Sequence, residues 1–570
     1  MGLSRGFSSV SPTRVSYAKK LHEFGPFLKR GGYTHYLGNV KIHYWRGRNV
    51  ILPFSPVNCL AWFLDIIPNS VKKEFIAVDR LYTSLASYMG TFPTLYDFSN
   101  KGGLKGKSVR YELLNVDEHL HRLKLPSGVF EATRDDVVYA KVALETHPGV
   151  ISRNAAASTS SKNLGRIKNI KKVHLLHYTV HDVLNNWDNI SSGKFNNTVG
   201  VYSIGSREKI QKLDYGDLAK TRPLFIPEFC DLLVGSTWLE LLKDNWQSNG
   251  VFKSEIWLGH ADQNMRYYRR IELDVKFQFS YEFDGKNWDA TVMAEVIKRS
   301  FEVYASCFKQ SKTVVNHFRF MYETFVYKKI ILHNGNSFLL FNGVPSGHAW
   351  TANINSMANW IIWTSCVHNC PHVPENLRKD YELQIMGDDI VLHTNVLLTP
   401  DVRQKLCEWM LHNFNYSAKD GTINPLKNAT SDVNDNSSFL KRSIDSKGNL
   451  VTKETDIWEK ILLGPEYSGL RGSRVAYFLR RINDLAIYDK VHSKRLSIYF
   501  GFIEQMENKL SKLSYSKREG VYSTIYQNLF RLTDAFTVSC KQKWNLFKKL
   551  SGVSGNNIIT RANEMHEHIR

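Results

Sequence analysis

One run of residues constrains this chain more than any other. Leu273, Val275, Phe277, Phe279, Tyr281 and Phe283 are apolar or aromatic, and mostly polar residues stand between them. Alternation with a period of two predicts a half-buried β-strand. The run ends at Asp284, and Asp289 follows five residues later, where a helical pattern starts. A carboxylate at a strand–loop–helix junction is placed to reach into a cleft. Asp289 suits the N-cap of the following helix equally well.

A second acidic group lies downstream. Two apolar segments, 383–386 and 390–392, flank Gly387-Asp388-Asp389. A Gly-Asp turn between such segments predicts a β-hairpin. The turn needs one Asp at most. Two neighbouring carboxylates at its tip repel each other, and a bound cation removes that cost. With Asp284 they make three carboxylates able to hold two Mg²⁺ ions, for which Mn²⁺ can substitute, since hard cations prefer oxygen ligands. Two ions about 3.5–4 Å apart serve in-line phosphoryl displacement.

Between these sites the pattern predicts a hairpin about Asn334-Gly335-Asn336, the loop Gly343-Val344-Pro345-Ser346-Gly347, and a buried helix over 351–363. Thr351 and Asn355 are four apart and share a helix face. With Ser346 and Gly347 at the head of that helix, they can read ribose hydroxyls. The plain structural alternative is that Ser346 caps the helix and Asn355 is a satisfied buried amide. Upstream, Arg207, Lys209, Lys212, Lys220 and Arg222 crowd a short span that ends in the rigid Arg222-Pro223. Cations alternating on extended strands can line a channel for a triphosphate.

Composition narrows the partners. The net charge of +21 over 570 residues points to a polyanion, with nucleic acid first. A hydrophobic content of 43% excludes wholesale disorder. Seven scattered cysteines do not make a secreted disulfide scaffold, so a reducing compartment is expected. The first twenty residues hold no apolar core of a secretory signal. No apolar run reaches the roughly 18–20 residues that span a bilayer, and no membrane partner is expected. Residues 152–162, SRNAAASTSSK, read as a mobile loop, and Arg166, Lys168, Lys171 and Lys172 follow as a basic cluster or a solvated helix face. Beyond Ser443 apolar residues recur at three and four, which predicts helices, again basic and aromatic at 541–550. Cys366, His368, Cys370 and His372 alternate as potential zinc ligands, in a spacing that matches neither CxxC pairs nor a zinc finger. The alternative is a loop after a buried helix, with Cys366 in the core.

Taken together, these residues resemble a viral RNA-dependent RNA polymerase, in particular those of partitiviruses and picobirnaviruses, small segmented double-stranded RNA viruses. Asp284 and Asp289 match the first palm motif, GVPSGHAWTANIN the second and Gly387-Asp388-Asp389 the third. The helical stretch 402–414 followed by Lys419 resembles the fourth motif, Phe439-Leu440-Lys441-Arg442 the primer grip, and AKTRPLFIPE the fingertip. Thr146-His147-Pro148-Gly149 resembles the motif that guides template into the fingers, and reads equally as a turn.

The resemblance implies a mixed α/β fold, a closed right hand whose palm is an antiparallel sheet flanked by helices. Residues 1–130 would bridge fingers and thumb. Fingers would take 131–270 with a hairpin at 310–342, the palm 271–442, and a helical thumb 443–570. It implies that Asp284 and Asp388, assisted by Asp389, hold two Mg²⁺ ions. Asp289 and Asn355, with Ser346, Gly347 and Thr351, would hold the ribose. Lys220 and Arg222, with Arg207 and Lys209, would clamp the triphosphate, and Lys419 would protonate the pyrophosphate. The partners implied are RNA template and product duplex, NTPs and a viral capsid protein, for a monomeric enzyme in the virion interior and host cytoplasm. Two other readings stay open: a reverse transcriptase-like polymerase, and a non-enzymatic RNA-binding or packaging protein.

Overall fold

The computed structural model of the chain describes residues 34–39, 108–144, 146–152, 170–195, 199–207, 222–248, 253–258, 263–286, 288–332, 336–341, 343–423, 439–440, 443–444 and 450–451. All of these up to residue 423 belong to one compact unit. Lys209, Lys212, Lys220, Lys441, Arg442, Arg166, Lys168 and the expected helices beyond Ser443 lie outside the described residues.

Strand β1 (Thr34–Asn39) comes first, and three short 3-10 turns between Tyr111 and Tyr139 lead to helix α1 (Lys172–Ser191). Strands β2 (Gly200–Arg207) and β3 (Arg222–Pro227) precede helices α2 (Phe229–Ser248) and α3 (Gln263–Lys276). Strand β4 (Phe279–Gly285) is followed by the single turn α4 (Trp288–Thr291) and by α5 (Ala294–Ala305) and α6 (Lys312–Val326). Strands β5 (Lys328–Ile331) and β6 (Asn336–Leu340) lead to α7 (Thr351–Asn369) and α8 (Glu375–Lys379). The last of the unit are β7 (Tyr381–Met386), β8 (Asp389–Thr394), α9 (Pro400–Phe414) and β9 (Ala418–Ile423). Beyond them, β10 (Ser443–Ile444) and β11 (Leu450–Val451) pair with each other.

Two sheets organise the unit. One runs β1-β6-β5-β2-β3, with only the β2–β5 pairing parallel. The other runs β7-β8-β4-β9 and is antiparallel throughout. Local chemistry explains the ends of several elements. Thr399 caps α9 by accepting from the Val402 amide, with Pro400 at the first helical position, and Asn415 closes it at φ 57°. Ser311 caps α6 in the same way. Helix α7 is the spine of the core: every residue from Asn353 to Val367 is buried. A helix without a solvated face must satisfy its polar side chains internally.

The structure corrects the strand expected from residue 273. Its first part is the end of α3, and the strand begins at Phe279. Leu273 and Phe277 are four apart, a spacing that satisfies a helix face as well as a strand face. Both are fully buried while Val275 between them is 67% exposed. The ion pair from Arg270 to Asp274 at 2.9 Å, one turn on, supports the helix. The basic stretch ending in Lys172 is not a solvated face there. Lys172 is buried, its Nζ donates to Thr146 Oγ1 at 2.5 Å, and burial lowers its pKa to about 8.

Candidate active site

Strand β4 sits between two partners, and its last residues define the site. The register sets Asp284 opposite Asp389 on β8 and opposite Lys419 on β9. Met386 faces Asp389 across the β7–β8 ladder, so Gly387-Asp388 is a two-residue turn. Gly387 has φ 68°, the positive value that such turns reserve for glycine at their first position. The acidic turn therefore stands beside the end of β4, with Asp284 exposed and Asp388 and Asp389 half-buried. Lys419 lies on a strand, where its sequence neighbours predict a Gly/Asp-rich loop, and its backbone is paired with that of Asp284.

Tyr416 lies under this cluster. Its hydroxyl is buried and accepts from Trp363 Nε1 at 3.5 Å, and its ring meets Trp288 edge-on at 5.1 Å. Burial pushes the hydroxyl pKa up, and the negative charges of Asp388 and Asp284 push it further. Both carboxylates thus act electrostatically on one point.

The second palm segment is tied to the first. Asp289, on α4, accepts from Asn355 Nδ2 at 3.2 Å through its Oδ1, and Trp288 Nε1 donates to Asn355 Oδ1 at 2.9 Å. The Gly343 and Val344 amides donate to the Val292 and Asp289 carbonyls at 3.0 and 2.6 Å. Gly343 has φ 80°, and a Cβ there would lie 2.7 Å from the Asp289 carbonyl oxygen, so glycine is required.

Thr351 does not share the orientation of Asn355. Its hydroxyl turns back to the carbonyls of Pro345 and His348 at 2.5 and 2.9 Å, bracing the loop. Ser346 does not cap the helix, because α7 starts after Trp350 without a side-chain cap. Gly347 packs so tightly on β3 that a Cβ would fall 2.0 Å from the Phe225 carbonyl oxygen.

That contact joins the loop to the fingertip strand. Arg222 opens β3 and stands directly opposite Arg207 at the end of β2. Two of the five cations of the expected channel are therefore register neighbours on paired strands. The residue after β3, Glu228, is buried and anchors the segment at Gly149. Its carboxylate accepts from the Ile151 and Ser152 amides at 2.9 Å each and from Ser152 Oγ at 2.7 Å. Within Thr146-His147-Pro148-Gly149, His147 Nδ1 accepts from the Gly149 amide at 3.1 Å.

Sequence reasoning misses several residues of this region. Lys328 is buried, and its ammonium donates to the carbonyls of Phe325, Val326 and Gly343 at 3.0, 3.1 and 2.9 Å. Ser356 and Asn359 are also buried on α7, but Asn353, Asn355, Thr364 and Ser365 are buried polar residues of the same helix, so no local pattern singles these two out.

In the Cys/His group, Cys366 lies in the core, but the helix runs on through His368 to Asn369, so the expected loop starts only at Cys370. Cys366 and Cys370 are both buried, and Cys370 is the C-cap residue whose amide donates to the Cys366 carbonyl. His368 stacks on His119 at 3.9 Å and bonds the Tyr381 hydroxyl at 2.9 Å. Burial pushes the Cys366 thiol up, and a hydrogen bond with Cys366 draws the Cys370 thiol down to about 7.

Among the described residues, no group of three or more His, Cys, Asp or Glu side chains forms a ready metal cage, in this group or at the acidic turn. The acidic turn nevertheless fits a hard divalent cation by its chemistry. Its donors are all carboxylate oxygens, and Asp284 and Asp389 are cross-strand partners whose like charges a cation would offset. The sulfur and imidazole group lacks that character.

Residues 269–497 match the family model described as viral RNA-dependent RNA polymerase. The chain carries a viral RNA-dependent RNA polymerase domain. As an enzyme it is an RNA-directed RNA polymerase, a class that binds RNA and NTPs and uses divalent metal ions. The match begins within α3 and takes in β4, α7, the acidic turn and β9. Among solved structures, a Sicinivirus 3Dpol RNA-dependent RNA polymerase is similar, with 13% identity over 78% of this chain and 84% of that chain and a TM-score of 0.48. No helix among the described residues of the polymerase is long and apolar enough to cross a membrane.

Proposed function

We propose that the polymerase copies RNA by two-metal nucleotidyl transfer from NTPs, as the replicase and transcriptase of a double-stranded RNA virus of the partitivirus and picobirnavirus kind. The observation that carries the chemistry is the register of β4, which sets Asp284 against Asp389 on one side and Lys419 on the other. Asp284, Asp388 and Asp389 would hold Mg²⁺, or Mn²⁺ in its place. Bound there, the ions supply charge neutralisation at the α-phosphate and a more acidic primer 3′-hydroxyl.

The chain's own residues do the rest by positioning and electrostatics. Arg207 and Arg222, with Lys209 and Lys220, hold the triphosphate. Asp289 and Asn355 present a carboxylate and an amide to the ribose 2′-hydroxyl, with Ser346 and Gly347 at the loop beside them and Thr351 bracing that loop. Lys419, beside Asp284, gives a proton to the departing pyrophosphate.

In this reading fingers take 131–270 and 310–342, the palm 271–442 and the thumb 443–570. The enzyme works as a monomer in the virion interior and the host cytoplasm, with a viral capsid protein as a partner.

The test is NTP incorporation on single- and double-stranded RNA, with and without primer, by the wild type and by Asp388→Ala. Incorporation by the wild type alone, with RNA affinity kept by both, is the expected result. Primer extension by Asp388→Ala would remove the carboxylate assignment. Robust dNTP incorporation on RNA would favour a reverse transcriptase-like enzyme instead.

A further inference from the structure

The glycine of the acidic turn is held by a helix and not by its own hairpin. Ser356 and Asn359 on α7 are both fully buried. The Gly387 amide donates to Ser356 Oγ at 2.9 Å. Asn359 Nδ2 donates to the Gly387 carbonyl at 3.0 Å. Both peptide groups of Gly387 therefore end on one helix. The ladder closes at Met386 and Asp389, so these two groups lie outside it and need a partner elsewhere.

The direction of these bonds is determined. The single hydroxyl hydrogen of Ser356 goes to the Ala352 carbonyl at 2.8 Å, which leaves its oxygen to accept from Gly387. A carbonyl can only accept, so Asn359 must present its NH₂ to it. Asn355, one residue before Ser356, grips Asp289. About one turn of α7, from Asn355 to Asn359, thus holds the segment after β4 and the turn between β7 and β8 together.

We propose that Ser356 and Asn359 are positioning residues, which aim Asp388 and Asp389 by clamping both peptide groups of Gly387. This rests on the reading of those carboxylates as the catalytic pair. The clamp makes the backbone of the turn rigid before any substrate arrives. Its effect falls on the rate of nucleotide addition and leaves nucleotide binding alone.

The decisive comparison is Ser356→Thr against Ser356→Val, which differ by little more than the accepting hydroxyl. Asn359→Leu removes the donor at the other end. Three quantities are measured: kcat and KM for NTP in primer extension, and hydrogen exchange of the peptide spanning 383–391 in protein free of metal and RNA. Ser356→Val and Asn359→Leu are expected to lower kcat by about 10–100-fold, the range for supports of a catalytic group. KM should stay within about twofold, and exchange in the turn should accelerate. Ser356→Thr should restore most of kcat and the slow exchange. Equal kcat and equal exchange in Ser356→Thr and Ser356→Val overturns the clamp, whatever the stability of Asn359→Leu. Asp388→Ala is the control for the underlying reading. If it is inactive while Ser356→Val behaves as wild type, the clamp alone fails. If it is active, the catalytic assignment fails first.

Discussion

Asn355 reaches across 66 residues of sequence to place its amide nitrogen 3.2 Å from Asp289 Oδ1. Trp288 fixes the other end of the same amide, because an indole N–H can only donate and so must face Oδ1. The pair is an oriented donor and acceptor beside the acidic turn, and it suits a ribose hydroxyl. Asn355→Ala is expected to reduce the preference for NTP over dNTP by about tenfold or more, as loss of a hydrogen-bonding pocket does. Competing single-nucleotide addition with matched NTP and dNTP measures it. An unchanged ratio would remove both residues from sugar selection.

Gly347→Ala tests the contact between the loop and the fingertip strand. A Cβ 2.0 Å from a backbone oxygen cannot be relieved by moving a side chain, so loop and β3 must part. The cost is about 1–3 kcal/mol, as for other overpacked positions. Thermal unfolding should show a drop of that size, and KM for NTP should rise, since β3 carries Arg222. A variant with wild-type melting temperature and KM contradicts the close packing.

Glu228→Ala removes the acceptor of three hydrogen bonds in a buried place. The stranded donors cost about 1–3 kcal/mol each if they find no water. Loss of at least about 3 kcal/mol is therefore expected from denaturant unfolding. Limited proteolysis should cut first near residues 146–152. Glu228→Gln keeps one acceptor oxygen and should fall between.

Lys328 makes stability depend on pH. Burial lowers its pKa from 10.5 to about 7 in the folded chain. Between about pH 7 and 10.5 the unfolded chain holds a proton that the folded chain has lost. Unfolding then takes up protons, and this group's contribution to stability rises with pH across that window. The slope is at most about 1.4 kcal/mol per pH unit. His348, the titratable neighbour, is pushed down to about 3 by burial and by Lys328, so it stays neutral there. The stability of wild type relative to Lys328→Met should climb from pH 7 toward pH 10, as followed by chemical denaturation. A flat difference would show that the amine is not desolvated.

The parts of this site written in local patterns are legible in the sequence. The acidic turn has its glycine and flanking apolar segments, and the β5–β6 hairpin has its alternation about Asn-Gly. Lys419 reads as a loop residue because Ala-Lys-Asp-Gly has poor strand propensity. Its strand exists because β4 offers an open edge, a tertiary fact. Leu273 and Phe277 fit two periods at once, and only the packing chooses the helix. The acceptors of Lys328 are backbone carbonyls, which no side-chain pattern encodes.

The position of β4 between two partners limits how this chain can misfold and remain an enzyme. Ala418, Lys419 and Asp420 pass in turn opposite Gly285, Asp284 and Phe283. A slip of β9 by one residue in one direction would exchange the lysine for Asp420, setting a carboxylate against Asp284. In the other direction it would bring an alanine and no charge. Wrong registers are thus disfavoured by charge at the end of β4. The electrostatics of the site helps to decide which sheet forms.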